Sequence, residues 1–197
     1  MFDTFTGLPS IPLKPKSNFS STTGGIRLVH VDSPATSVMT DFAFVTPVTT
    51  TPQTPIATAL GQMKTAGVRL LFVMNDIDEI MGIITATDIM GERPIKVTRQ
   101  TRLPRSKITV ASIMTPQADI QVLDAARVQA AMVGDIVATL RSLARQHALV
   151  AQVDPASQTH RVIGMFSTSR ISKLLFKNVA QSPIPAHSFA EIVEKIG

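Results

Sequence analysis

Cysteine, tryptophan and tyrosine are all absent from this chain of 197 residues. Without cysteine the protein has no disulfide, no thiolate nucleophile and no cysteine-ligated metal site. The nine phenylalanines leave few rings on which single-stranded nucleic acid could stack. These absences fit a reducing, cytoplasmic setting and argue against a redox function.

Long apolar runs and catalytic motifs are absent too. No run approaches the roughly 18 apolar residues that cross a bilayer, and the first residues lack the basic stretch of a secretory signal. The phosphate-loop, dinucleotide-binding and zinc-protease motifs do not occur. The four histidines show no metal-ligand spacing, and no nucleophile–base pair can be named: they are His30, His147, His160 and His187. We therefore expect a non-enzymatic protein with no cofactor, no metal and no membrane contact.

The composition is that of an ordinary globular protein, with 44% hydrophobic and 17% charged residues. The length allows one or two domains with a sizeable core. A formal net charge of +5 is compatible with a polyanionic ligand, either a nucleotide or a nucleic acid.

The most informative stretch is Gly82–Asp88, which predicts a buried strand that runs directly into a helix. Backbone N–H groups at such a helix start point toward solvent or a ligand. Asp88 could accept two hydrogen bonds from a vicinal diol such as ribose. The alternative is that Thr85 or Thr87 only caps the helix and that Asp88 only complements its dipole.

A second copy of this pattern follows later in the chain. Gly164–Ile171 repeats the strand-to-helix stretch, and Ser37–Thr40 recurs as Ser112–Thr115. Such self-similarity in a fixed order indicates two copies of one supersecondary unit. Because each unit is too small to be stable alone, the two are expected to pair.

The predicted fold class is α+β, with each repeat in the order β-α-β-β-α. The first repeat has strands at 48–50, 68–74 and 80–86 and helices at 55–66 and 87–91, with Gly67 ending the first helix. The second has strands at 120–123, 147–153 and 161–166 and helices at 133–144 and 169–176, while 124–131 is ambiguous. The predicted division is an extension at 1–33 with an edge strand at 26–31, repeat one at 34–91, a linker at 92–107, repeat two at 108–177, and a tail at 178–197 that ends in a helix capped by Ser188 and Glu191.

The linker is the most basic part of the chain, with Arg93, Lys96, Arg99, Arg102 and Arg105 ahead of Lys107. A solvated segment that stays extended by self-repulsion explains it most simply. Contact with a ligand phosphate, a protein partner or nucleic acid remains open as an alternative.

Each β-α-β-β-α unit begins with Ser-h-Met-Thr, and its last strand ends in Gly-h-h-[Thr/Ser], where h is an apolar residue. Two such units in tandem resemble a pair of cystathionine-beta-synthase (CBS) domains, called a Bateman module. The resemblance covers about residues 34–177 and implies two pseudo-symmetric halves packed through their sheets. It also implies a regulatory module that binds an adenosine nucleotide between them, such as AMP, ADP, ATP or S-adenosylmethionine. Such modules usually associate further, so a homodimer is expected.

The segment Gly67-Val68-Arg69, together with Gly82–Asp88, is similar to the nucleotide-binding repeats of the AMP-activated protein kinase gamma subunit. By that resemblance Thr85 and Asp88 hold the ribose and Arg69 reaches the phosphate. The base is expected near Thr49, Thr50, Val68 and Leu70.

The second copy departs from this pattern because Arg170 stands where Asp88 stands in the first. A guanidinium has no acceptor for a diol, so we expect one competent nucleoside site. The possible second cleft is assigned to His147, Ser167 and Arg170, with His147 either lining a cleft or lying at the surface. The alternative function is a nucleic-acid or protein adaptor that uses the basic segment 93–107.

Overall fold

The computed structural model describes residues 29–154 and 159–179, with backbone only for the last four. Within these residues the chain forms eight strands and six α-helices. The strands are β1 (Thr40–Asp41), β2 (Thr49–Thr50), β3 (Leu70–Met74), β4 (Ile80–Thr85), β5 (Thr115–Pro116), β6 (Val122–Asp124), β7 (His147–Val153) and β8 (His160–Ser167). The helices are α1 (Ile56–Ala66), α2 (Ala86–Met90), α3 (Arg93–Thr101), α4 (Ala125–Ala130), α5 (Val133–Ser142) and α6 (Thr168–Val179).

The strands form two sheets of four. The first sheet has the order β2-β3-β4-β5, and the second has the order β1-β8-β7-β6. Each contains one parallel pair, β2 with β3 and β6 with β7, next to an antiparallel hairpin. Thr85 faces Leu70 across the first hairpin and Ser167 faces His147 across the second. The two repeats are therefore equivalent in detail, as the sequence predicted.

The two Ser-h-Met-Thr segments, here called lead-in segments one (residues 37–40) and two (residues 112–115), exchange places. Lead-in segment one runs into β1, whose Thr40 pairs with Met165 in the second sheet. Lead-in segment two runs into β5, whose Thr115 pairs with Ile83 in the first sheet. Each lead-in segment thus completes the sheet of the opposite repeat. The residue bounds of the repeats themselves remain a prediction.

A glycine makes each exchanged strand possible. A Cβ on Gly82 would lie 2.5 Å from the backbone oxygen of Thr115, and one on Gly164 would lie 2.7 Å from that of Thr40. Since real Cβ atoms do not approach backbone oxygen so closely, only glycine lets the lead-in strands lie against β4 and β8.

The buried residues fall into three clusters. One lies under the first sheet and includes Ile113 of lead-in segment two, and another lies under the second sheet and includes Val38 of lead-in segment one. The third cluster, which includes Phe72 and Leu149, lies where the two sheets face each other. Aliphatic side chains on the inner faces of both sheets thus join the halves into one pseudo-two-fold pair.

The structure corrects the expected linker. Residues predicted to be an extended segment include α3, which has Pro94 in its first turn and an ion pair between Glu92 and Lys96 at 3.3 Å. Proline is tolerated in the first turn of a helix because its missing N–H has no helical partner there. Arg93, Lys96 and Arg99 therefore lie on this helix, Arg102 is its C-cap, and Arg105 and Lys107 lie in a short 3₁₀ turn, so these residues do not form one extended run.

Three other predictions concern the edge strand at 26–31, the stretch at 124–131 and the final helix. The predicted edge strand at 26–31 is wrong for its described part, because residues 29–33 form a turn and His30 accepts there from the Ser33 backbone N–H. The ambiguous stretch at 124–131 is a helix whose N-cap is the Asp124 side chain. The final helix with Ser188 and Glu191 lies outside the described residues. Throughout 29–154 and 159–179, every helix is too short or too polar to cross a bilayer.

Candidate nucleotide site between the halves

A cavity of about 790 Å³ lies between the two halves. The start of α2 forms one wall with Thr85, Thr87 and Asp88, and α3 contributes Arg93 and Lys96. The remaining walls are formed by residues 112–116, 119–121 and 144–147. Both halves therefore build this site jointly.

Asp88 is held in a defined orientation at the cavity wall. Thr85 is the N-cap of α2, and its hydroxyl oxygen accepts from the Asp88 backbone N–H at 3.2 Å. In return, Asp88 Oδ2 accepts from the Thr85 backbone N–H at 2.9 Å and from its hydroxyl at 2.7 Å. The capping alternative is therefore correct for these two residues, and the same carboxylate also lines the cavity, with its side chain 14% exposed.

Arg93 connects the carboxylate to lead-in segment two. Its Nη1 lies 3.2 Å from Asp88 Oδ1, donates to the Ile113 carbonyl at 2.7 Å and reaches the Thr115 hydroxyl at 3.3 Å. The Arg93 side chain is 46% exposed and lines the cavity. One guanidinium nitrogen thus serves three acceptors, which leaves the other side of its planar fork unoccupied by any described residue.

The cavity is apolar where the sheets meet and charged at its rim. Leu70, Ile83 and Leu149 contribute aliphatic surface from the shared cluster between the sheets. Arg93, Lys96 and Arg145 provide three cations, against two carboxylates from Asp88 and Asp119. An apolar slot with a cationic rim matches the needs of a flat heterocycle that carries a negatively charged tail.

His147 lies in this cavity, although the sequence pattern had assigned it to a second cleft. The pKa of His147 is lowered from 6.5 to about 4, mainly by burial and also by the positive charge of Arg69, while the carboxylate of Asp88 opposes the shift. At neutral pH its imidazole is therefore uncharged, with one nitrogen as donor and the other as acceptor.

Four residues that the resemblance placed at the site lie outside the cavity wall. Thr50 is 5% exposed, and its hydroxyl has no partner among the described residues. Val68 packs against the cluster under the first sheet, and Thr49 pairs with Phe72. Arg69 is exposed and accepts through its carbonyl from the Ala86 N–H at 2.9 Å, although its charge still acts on His147. Of the predicted set, the structure brings together Leu70, Thr85, Asp88 and His147.

Ser167 and Arg170 occupy the equivalent position in the second half. Ser167 Oγ accepts from the Arg170 backbone N–H at 3.3 Å, as Thr85 does from Asp88. Arg170 Nε donates to the Val38 carbonyl at 3.2 Å. The guanidinium therefore contacts lead-in segment one, and neither residue lines the cavity beside Asp88.

Lys96, Asp119 and Arg145 were not assigned to the site from the sequence. Asp119 follows the exchanged strand β5, Arg145 precedes β7 of the second sheet, and Lys96 lies on α3, which directly follows α2. The paired lead-in motifs were a visible signal, but their order along the chain is the same whether or not they exchange. Only the strand pairing reveals the exchange.

Comparisons with known proteins agree with this architecture. The family model for the CBS domain matches residues 35–94. No curated protein sequence is significantly similar to the chain. A solved structure of an uncharacterised conserved protein from Pyrococcus horikoshii is similar over 81% of this chain and 100% of its own, with 19% identity and a TM-score of 0.51.

Two further solved structures share the fold. The CBS-domain pair of protein MJ0100, in complex with 5′-methylthioadenosine and S-adenosyl-L-methionine, is 19% identical, with 74% of this chain and 97% of that chain covered and a TM-score of 0.50. Protein MJ1225 from Methanocaldococcus jannaschii, proposed as an archaeal homologue of g-AMPK, is 20% identical, with 72% and 49% covered and a TM-score of 0.51. The family match and these structures together confirm the resemblance seen in the sequence. Residues 35–94 match the family model of the CBS domain, and the chain has the fold of a CBS-domain pair.

Proposed function

We propose that the protein is a non-catalytic regulatory module that binds an adenosine nucleotide in the cavity beside Asp88 and signals its occupancy to a partner protein. The candidate ligands are AMP, ADP, ATP and S-adenosylmethionine. The observation that carries the proposal is an oriented carboxylate, fixed by the Thr85 capping box, on the wall of a cavity with an apolar floor and a cationic rim.

Each part of such a ligand has a chemical counterpart in the cavity. The ribose hydroxyls would donate to Asp88, the base would lie against Leu70, Ile83 and Leu149, and phosphate would meet the rim cations. A neutral His147 could donate to or accept from the base edge without adding charge.

The solved structures support this ligand class. One CBS-domain pair of the same fold was solved with two adenosine-containing ligands, and another structure of this fold is a proposed homologue of g-AMPK. Both are less than 25% identical to this chain, so they guide the choice of ligands to test.

Calorimetric titration of the full chain with AMP, ATP and S-adenosylmethionine tests the proposal. Asp88→Ala should weaken binding by about 10- to 100-fold, because a charge-assisted hydrogen bond contributes roughly 1.5–3 kcal/mol. Asp135→Ala is the matched control, because Asp135 accepts from the Met132 N–H at 2.8 Å at the start of α5 and lies outside the cavity. Wild-type protein that binds none of the three below millimolar concentration, or an Asp88→Ala variant with unchanged affinity, would contradict the proposal.

The adaptor alternative is less well supported. Three cations of the segment 93–107 contact this chain: Arg93 at Asp88, Lys96 at Glu92, and Arg105 at the Ile89 carbonyl at 2.7 Å. Duplex binding that falls steeply with salt, in the absence of nucleotide binding, would favour the adaptor instead. A homodimer remains a prediction, which light scattering of the full chain can test.

A further inference from the structure

Asp88 has too few acceptor positions for all the donors that a bound nucleoside would bring. A carboxylate offers about four lone-pair positions. Two of them, on Oδ2, are used by the Thr85 N–H and hydroxyl, and a third, on Oδ1, is used by Arg93. One position therefore remains, whereas a ribose diol offers two hydroxyl donors.

The Arg93 contact is the longest of the three. It spans 3.2 Å, compared with 2.9 Å and 2.7 Å for the two Thr85 bonds. Arg93 Nη1 has two hydrogens for three acceptors, and its bond to the Ile113 carbonyl, at 2.7 Å, is the shortest. Arg93 can therefore leave Asp88 Oδ1 while it still holds lead-in segment two.

A guanidinium released from Asp88 needs another anion. It already lines the cavity and is about half exposed, and Nη2 and Nε have no partner among the described residues. A ligand phosphate would provide that anion, and two of its oxygens would match the planar fork. Uncharged adenosine provides nothing in return, and a sulfonium group adds like charge.

We propose that Arg93 is a specificity-determining residue that occupies Asp88 in the empty cavity and transfers to the ligand phosphate when a nucleotide binds. This inference rests on the proposed function and deepens it. The site then selects phosphate-bearing nucleosides over adenosine and over S-adenosylmethionine.

Calorimetry with AMP and adenosine, on wild type, Arg93→Gln and Arg93→Ala, tests the inference. Both substitutions remove the charge, and glutamine keeps more of the side-chain packing, so it serves as the second variant if alanine destabilises the fold. Both variants should bind AMP about tenfold more weakly and should bind adenosine at least as tightly as wild type does, because Oδ1 is no longer shared. The preference for AMP over adenosine should therefore collapse.

Arg99→Ala is the control, because Arg99 is on the same helix and does not line the cavity. Its affinities for AMP and adenosine should both match those of wild type. An equal loss of affinity for AMP and adenosine in the Arg93 variants, or an unchanged preference for AMP, would overturn the role of Arg93. Neither result would contradict the proposed function. Wild-type protein that bound neither ligand would overturn the role of Arg93, and it would overturn the proposed function as well only if ATP and S-adenosylmethionine also failed to bind.

Discussion

The two halves of this protein solve one structural problem with different residues. Each must hold the exchanged lead-in segment against the helix that follows its longest hairpin, and each uses an arginine that donates to a backbone carbonyl. Arg93 reaches Ile113 in the first half, and Arg170 reaches Val38 in the second. In the first half the arginine is five residues beyond Asp88, and the position five residues beyond Arg170 is the buried Leu175.

The comparison of Arg93 with Arg170 shows that Asp88 is an addition found only in the first half. One arginine is enough to hold a lead-in segment, since the second half does so without an acid beside the helix start. Asp88 is therefore not required for that contact, and it makes the first half more complicated by sharing Arg93. Asp88 also completes the capping box of α2, and its place on the cavity wall is what the proposed function uses.

The largest effect should come from the glycines on which both halves depend. Gly82→Ala and Gly164→Ala should each lower the free energy of unfolding by about 3 kcal/mol, because the new methyl group meets a backbone oxygen that cannot move cheaply. Urea denaturation measures this, and Gly61→Ala is the control, because a Cβ added there would have nothing within 4 Å. A loss below 1 kcal/mol at either glycine would show that its half does not depend on the close strand pairing.

His147 should make the second half sensitive to pH at a position where the first half has Leu70. Its pKa is about 4 in the folded protein and 6.5 in the unfolded chain, so the unfolded chain binds more protons between these values. Stability is complete above pH 6.5 and falls as the pH drops toward 4, by about 1–2 kcal/mol after allowance for partial exposure. His147→Leu should remove that loss, as measured by denaturation at pH 7 and pH 4. An identical pH profile in the variant would contradict the assignment.

Arg170→Ala should cost about 1–2 kcal/mol, because the carbonyl of the buried Val38 loses a charged donor. Arg161→Ala on the exposed side of β8 is the control and should change stability by less than about 0.5 kcal/mol. Equal effects of the two substitutions in thermal melting would mean that Arg170 is not the counterpart of Arg93.

The smallest effect should come from the residue that follows the first long helix of each half. Gly67 has φ +65°, and the equivalent Ala144 has φ +49°, which is unfavourable for a residue with a Cβ. Gly67→Ala should cost about 1 kcal/mol, and Ala144→Gly should gain about 0.5 kcal/mol. If both substitutions shifted the calorimetric melting temperature in the same direction, Gly67 and Ala144 would not be equivalent.

Much of the fold could be predicted from the sequence. Hydrophobic patterning located both hairpins to within about two residues, and Gly67 was correctly placed at the end of α1. Helix α3 was missed because its charges suggested a solvated segment, although Pro94 followed by seven residues without glycine or proline is compatible with a helix.

The site was predictable only in part, for a physical reason. Thr85 and Asp88 follow from local spacing, because a capping box is a local structure. Which residues face them depends on how the lead-in segments pair, and patterning within a repeat does not encode that choice. The cavity also takes Lys96 from the missed helix α3 and Arg145 and His147 from the second half, and local spacing does not bring these residues beside Asp88.

The exchanged strands also constrain how the chain can be made. Thr40 is synthesised early, yet its partner Met165 leaves the ribosome 125 residues later. Until then β1 has no partner strand, because β8 has not been made, whereas the first sheet can close once Pro116 has emerged. Pairing between such distant residues slows folding, so the half that carries Asp88 should be complete during translation while its twin waits for the last hairpin.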